Sequence, residues 1–210
     1  MKTIKLFTLL AIFIGFSSCS NDNDDDPVIL QIESETVSNF YAPQVSDYTT
    51  NPPTYTGEFT KFDFSTGLET TSTTNWDIAI RGTSIIVNGG TSFGATDEPD
   101  RSGNAAAYFA TGTFASVNSV DMSLLEQDSV NGYVLSNWYD YNPVNHIITP
   151  TAGKILIIRT RDSKYAKVEI LSYYKDAPAP NEITEEIATN DSRYYTFNYV
   201  YQPNEGETTF

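Results

Sequence analysis

Chemistry in this chain has to be built around very few side chains. It holds one histidine, His146, one cysteine, Cys19, and two methionines, Met1 and Met122. A Ser-His-Asp or Cys-His arrangement would have to use His146, and no nucleophile-elbow sequence lies near it. A zinc site needs several His or Cys ligands, which the composition does not supply. Paired carboxylates for glycoside chemistry would draw on 27 Asp and Glu residues, and no motif singles out a pair. The reading is therefore a binding protein rather than an enzyme. Met122 and His146 stand 146 − 122 = 24 residues apart, a separation that an extended excursion and return can close. Each also has a structural reading. Met122 precedes Leu124 and Leu125 and suits core filling. His146 opens "HIITP", where an imidazole can cap a strand end by bonding a backbone carbonyl.

The chain that must carry these residues begins "MKTIKLFTLLAIFIGFSSCS". Two lysines, an apolar run and small residues before a cysteine make a secretory signal over 1–18. The apolar run is too short to cross a bilayer, which takes about 20 residues. "FSSC" looks like a bacterial lipobox, which makes Cys19 the lipid-attachment residue and the membrane anchor. A lone thiol forms no internal disulfide, so stability must come from the core. The stretch 19–27 continues as "SNDNDDDP", a solvated acidic tether with nothing to bury. It starts like a calcium loop, but Pro27 replaces the turn glycine and no closing glutamate follows. It resembles the acidic export tags of Bacteroidetes lipoproteins, which implies display on the outer face of the cell. Without 1–18 the formal charge moves from −15 to −15 − 2 = −17. Such an acidic surface, with no basic stripe, excludes nucleic acid as a partner.

Residues 28–210 read as one all-β domain, rich in Thr, Tyr, Phe, Ile and Val and punctuated by Gly, Asn and Pro. "GEFTKFDFSTG" alternates as a strand. "NWDIAIRG" puts Trp76, Ile78 and Ile80 on a core face and Asp77, Ala79 and Arg81 on the other. "TSIIVNGG" is a short apolar strand ending in a turn. Residues 94–107, "GATDEPDRSGNAAA", read as a solvated excursion. One short helix is expected over 123–130, with Ser123 and Glu126 at capping-box spacing. The best hairpin is "GKILIIRTRDSKYAKVEILSYYK", turning at "RDSK", with Ala166, Val168 and Ile170 inward and Lys167 and Glu169 outward. Tyr195, Phe197, Tyr199 and Tyr201 in "YYTFNYVYQ" form an aromatic stripe suited to a core wall.

The order "GEFTKFDFSTG", "NWDIAIRGTSIIVNGG", "SGNAAAYF", "GKILIIRTRDSKYAKVEILSYY" and "YYTFNYVYQ" resembles the HmuY family of bacterial lipoproteins. The Asn75-Trp76-Asp77 block and "KYAKVEILSYY" carry the likeness most specifically. The resemblance implies antiparallel strands and hairpins with at most one or two short helices. It also implies haem binding for iron acquisition at the outer membrane, alongside a TonB-dependent receptor. Family members hold haem iron between two histidines or two methionines. Here no residue clearly matches the first ligand, and the position of the second, a few residues after a tryptophan like Trp138, holds Asn142 or Pro143. Histidine, methionine and tyrosine are all axial ligands of haem iron. That leaves His146 and Met122 as the candidate iron pair, with Tyr139 and Tyr141 as further ligands or stacking groups. The alternative is a lipoprotein of the same fold that does not ligate haem and serves a receptor for another ligand.

Overall fold

The computed structural model describes residues 28–210, so the signal segment, Cys19 and the acidic tether lie outside the described residues. In chain order the strands are β1 (Glu33–Tyr41), β2 (Val45–Asp47), β3 (Thr54–Thr56), β4 (Thr60–Asp63), β5 (Leu68–Thr70), β6 (Ile78–Arg81) and β7 (Ser84–Val87). β8 (Ala106–Thr111), β9 (Tyr139–Asn142), β10 (Ile147–Pro150), β11 (Lys154–Arg159) and β12 (Tyr165–Tyr174) follow. A short helix α1 (Glu185–Asn190) and β13 (Ser192–Gln202) close the order. The fold is all-β, with antiparallel pairing between named strands. One sheet runs β1-β13-β12-β11-β8, a second β5-β4-β6-β7, and β2-β3 and β9-β10 stand as separate ribbons.

The main core lies between the two large sheets. The period-two stripe Tyr195, Phe197, Tyr199 and Tyr201 on β13 is buried, as are Leu156, Ile158, Ala166, Val168 and Ile170, against Phe62, Phe64, Ile78 and Ile80. Phe62 meets Phe197 and Tyr199 edge-to-face, at ring separations of 5.4 and 5.7 Å, the geometry that ring quadrupoles favour.

The other face of the five-stranded sheet is also covered, which corrects the inward/outward reading of the β11–β12 hairpin. Ile155, Ile157, Tyr108 and Tyr165 form a second core with Val120, under Phe114, Val117, Leu125 and Phe210. Lys167 therefore points into protein. Its ammonium donates to the carbonyls of Phe114 (2.7 Å) and Val117 (2.8 Å) and lies 4.7 Å from the centre of the Phe114 ring. Burial pulls its pKa below the ordinary lysine value.

Three further expectations change. The helix expected at 123–130 is a single 3-10 turn, Met122–Leu124, capped by Asp121, whose carboxylate accepts from Ser123 N at 3.0 Å. Beyond it Glu126 exchanges both backbone hydrogen bonds with Ala107, so pairing to a strand edge overrides local helical preference. The α-helix sits instead at Glu185–Asn190, where Thr184 caps it and Glu185 and Glu186 favour its first turn. Trp76 does not share a face with Ile78 and Ile80. The strand starts after it, and Trp76 packs with Phe59, Ala79 and Ile86 in a third cluster. Finally, 94–107 is solvated along much of its length, with Gly94, Thr96, Asp97, Asp100, Ser102 and Asn104 exposed, but it is also pinned. Arg101, nearly buried, pairs with Glu98 at 2.5 Å and Asp128 at 3.0 Å, and Asn88 accepts from the Ser102 and Gly103 amides.

Candidate functional site

The β9–β10 ribbon carries His146 on its four-residue turn, Pro143 to His146. The turn is set by its own asparagines. Asn142 Oδ1 accepts from Val144 N at 2.9 Å and Asn145 Oδ1 from Ile147 N at 3.3 Å, the side-chain mimicry of turn hydrogen bonds that asparagine favours. His146 then takes a left-handed backbone, φ 57°, uncommon for a residue with a Cβ. This conformation brings the imidazole to Tyr141, whose hydroxyl lies 2.5 Å from Nδ1. When Nδ1 carries the proton it donates to the Tyr141 oxygen and Nε2 keeps its lone pair for a metal. Both side chains are exposed.

The ribbon is fastened at its base. Trp138 is buried, donates from Nε1 to Thr83 O at 2.9 Å, and packs on Tyr139, Tyr173 and Tyr195. Ile148 N donates to the Tyr174 hydroxyl at 2.8 Å, tying β10 to β12. Below the turn opens a cavity of about 340 Å³, walled by His146, Tyr48, Tyr55, Tyr173, Tyr174 and Arg193. That is the low end of small-molecule sites, which run from about 300 to 1,000 Å³. Tyr173 and Tyr174, both with pKa values raised by burial, also wall a second cavity of about 230 Å³ on the far side of Ile148, with Pro150, Pro178 and Pro180. A larger hollow of about 710 Å³ lies by the apolar stretch Val28–Ile32, remote in sequence from the turn.

Of the candidate residues, Tyr141 and His146 are brought together and Met122 is not. Val120 and Leu125, which flank Met122, pack on Ile155 and Ile157, whereas Ile147 and Ile148 pack on the opposite core with Leu156 and Ile158. These β11 residues alternate, so the five-stranded sheet separates Met122 from His146. Met122 is moreover exposed, which also removes it from the core. Tyr139 is half-buried against Trp138. Among the described residues no group of three or more His, Cys, Asp or Glu side chains is placed to hold a metal ion. Sequence reasoning missed Tyr48, Tyr55 and Arg193. Only the fold brings them to His146, and a run such as "DSRYY" holds no motif that marks the arginine.

One carboxylate pair does meet in space, away from this cavity. Arg161, in the β11–β12 turn, donates to Asp63 at 2.9 Å and to Asp77 at 3.2 Å, and its amide donates to Asp77 at 2.9 Å. Asp77 also accepts from Phe64 N at 2.9 Å. Burial pushes the Asp77 carboxyl up to about 6, although the Arg161 and Phe64 amides and the guanidinium oppose the rise. For Asp63 burial acts the same way, but the hydrogen bonds from Arg161 and Ser65 outweigh it and hold the carboxyl below its ordinary value. The group is a structural clamp with its hydrogen-bonding capacity largely spent.

A family model described as HmuY protein matches residues 54–199. No curated protein matches the chain. Among solved structures, the apo HmuY analogue of Tannerella forsythia aligns at 14% identity and a TM-score of 0.49, over 84% of this chain and 100% of its own. A protein of Bacteroides fragilis, provisionally described as a lipoprotein, aligns at 14% identity and 0.47, over 84% and 95%. A protein of Bacteroides vulgatus, provisionally described as HmuY-like and heme-binding, aligns at 15% identity and 0.40, over 84% and 97%.

Proposed function

The chain belongs to the HmuY family, and from that premise we propose that it is a surface-displayed lipoprotein that binds haem at the β9–β10 turn. The observation that carries this reading is the Tyr141–His146 pair, held over a tyrosine-walled cavity. A histidine that ligates metal is typically oriented by a hydrogen bond to its other ring nitrogen, and Tyr141 supplies that partner. The tyrosines offer aromatic faces for a porphyrin. When bound, haem would supply its iron as the site for a sixth or fifth ligand, and the protein's part is to present Nε2 and to wall the ring from water. Anchorage at Cys19 and display beyond the acidic tether would place the cavity outside the cell, where a TonB-dependent receptor could receive the haem.

Haemin titration tests the reading. The protein should give a sharp, saturable Soret band, and His146→Ala should convert the spectrum to a weaker, loosely bound form. A broad band that never saturates, or one indifferent to His146→Ala, rules out ligation by this residue. The position of Met122 beyond the sheet favours one second reading: a planar aromatic ligand held by the cavity without a protein pair on iron. Under it His146→Ala, like Met122→Ala, leaves the titration unchanged in both oxidation states.

A further inference from the structure

The cavity under the turn differs from the rest of the molecule in its charge. The chain holds 27 acidic and 12 basic residues, yet no aspartate or glutamate lines this cavity, while Arg193 and His146 both do. Among the described residues Arg193 forms no ion pair. Its guanidinium donates from Nη1 to Gln44 O at 2.6 Å and also hydrogen-bonds the Tyr173 hydroxyl, and its remaining N–H groups have no carboxylate to meet. An unpaired arginine in an acidic protein is a place where an anion is welcome.

The backbone holds both groups in place. Arg193 has φ 72°, and His146 has φ 57°, so both basic groups of the cavity stand in the left-handed region that side chains seldom adopt. Such conformations persist where surrounding structure holds them. For Arg193 the holding contacts are the Gln44 bond and Ala42 N, which donates to Arg193 O at 2.9 Å. The side chain is thereby fixed at the cavity wall before any ligand arrives.

We propose that Arg193 is the carboxylate anchor of this cavity, which therefore selects a planar aromatic acid: the tyrosines take its face and the guanidinium takes its carboxylate. This rests on reading the cavity as the ligand site, and it deepens that reading by setting recognition independent of iron. Guanidinium and carboxylate match as fork to fork, which a neutral ester cannot reproduce.

The test uses metal-free protoporphyrin IX and its dimethyl ester, titrated by fluorescence into the parent, Arg193→Gln and Arg193→Lys. The parent should prefer the free acid by about tenfold or more, as expected for a charge-assisted hydrogen bond. Arg193→Gln should lose that preference through weaker acid binding, with ester binding within about twofold of the parent. Arg193→Lys should keep part of the preference, because a point charge remains without the fork. A parent that binds acid and ester equally overturns the anchor, as does a folded Arg193→Gln that keeps the preference. If the glutamine variant does not fold, the parent ratio and the lysine variant decide. Failure of iron ligation shows elsewhere, as a haemin spectrum indifferent to His146→Ala while the acid preference stands. A parent that binds no porphyrin overturns both.

Discussion

Asp77→Asn tests whether the buried clamp behaves as its environment dictates. The Asp77 side chain is almost wholly buried, and its carboxyl is pushed from 3.8 up to about 6, mainly by desolvation. At about 1.4 kcal/mol for each tenfold change in proton affinity, ionising it in the folded protein costs about 3 kcal/mol more than in the unfolded chain. The sign follows from proton counting. Between roughly pH 4 and pH 6 the folded state holds the proton more tightly, so this group's contribution to stability is present at low pH and is lost as pH rises through that window. About half of the loss is complete by pH 5, leaving about 1.5 kcal/mol to go between pH 5 and 7.5. Asparagine cannot titrate, and it must present either an amide to the Phe64 N–H or one to Arg161, at a fixed cost of about 1–3 kcal/mol. Urea unfolding followed by the fluorescence of Trp76 and Trp138, both buried, gives stability at each pH for parent and variant. The gap between them should narrow by about 1.5 kcal/mol from pH 5 to 7.5, and other titrating groups cancel in the difference. A gap that widens with pH would mean that pairing with Arg161 outweighs desolvation, and the account of Asp77 would be wrong.

Trp138→Ala should destabilise the protein by about 3–5 kcal/mol, the cost of a large buried aromatic, and loosen the β9–β10 ribbon; a loss under about 1 kcal/mol in urea would show that the ribbon is held elsewhere. Lys167→Met keeps the apolar stem but leaves the Phe114 and Val117 carbonyls without their donor. It should cost about 1–3 kcal/mol, and unchanged stability would show that water or relaxation replaces the ammonium. Cys19→Ser should abolish labelling by a palmitate analogue and release the protein from the membrane fraction, and equal labelling of mutant and parent would refute the lipobox.

What the sequence determined by itself is what local periodicity can encode. The stripe Tyr195 to Tyr201 faces the core because alternation along one strand needs no knowledge of its partner, and "RDSK" marks a turn because its flanks alternate on both sides. The candidate iron ligands His146 and Met122 were equally legible, the chain holding one histidine and two methionines. Tertiary structure decided wherever a second segment arrived from far along the chain. Lys167 reads as outward until residues 113–125 cover the second face of its sheet, and the helix expected at 123–130 yields to pairing with Ala107. Arg161 finds Asp77 and Asp63 across 84 and 98 residues. Met122 and His146, near enough in sequence to share an ion, fall on opposite sides of β11 because successive strand residues face opposite ways and each face recruited one of them. Arg193 reaches the His146 cavity only because β13 runs beside β12, and β12 holds the ribbon through Tyr174. Periodicity tells a residue which way to face; which partners fill that face is settled by contacts that no local window contains.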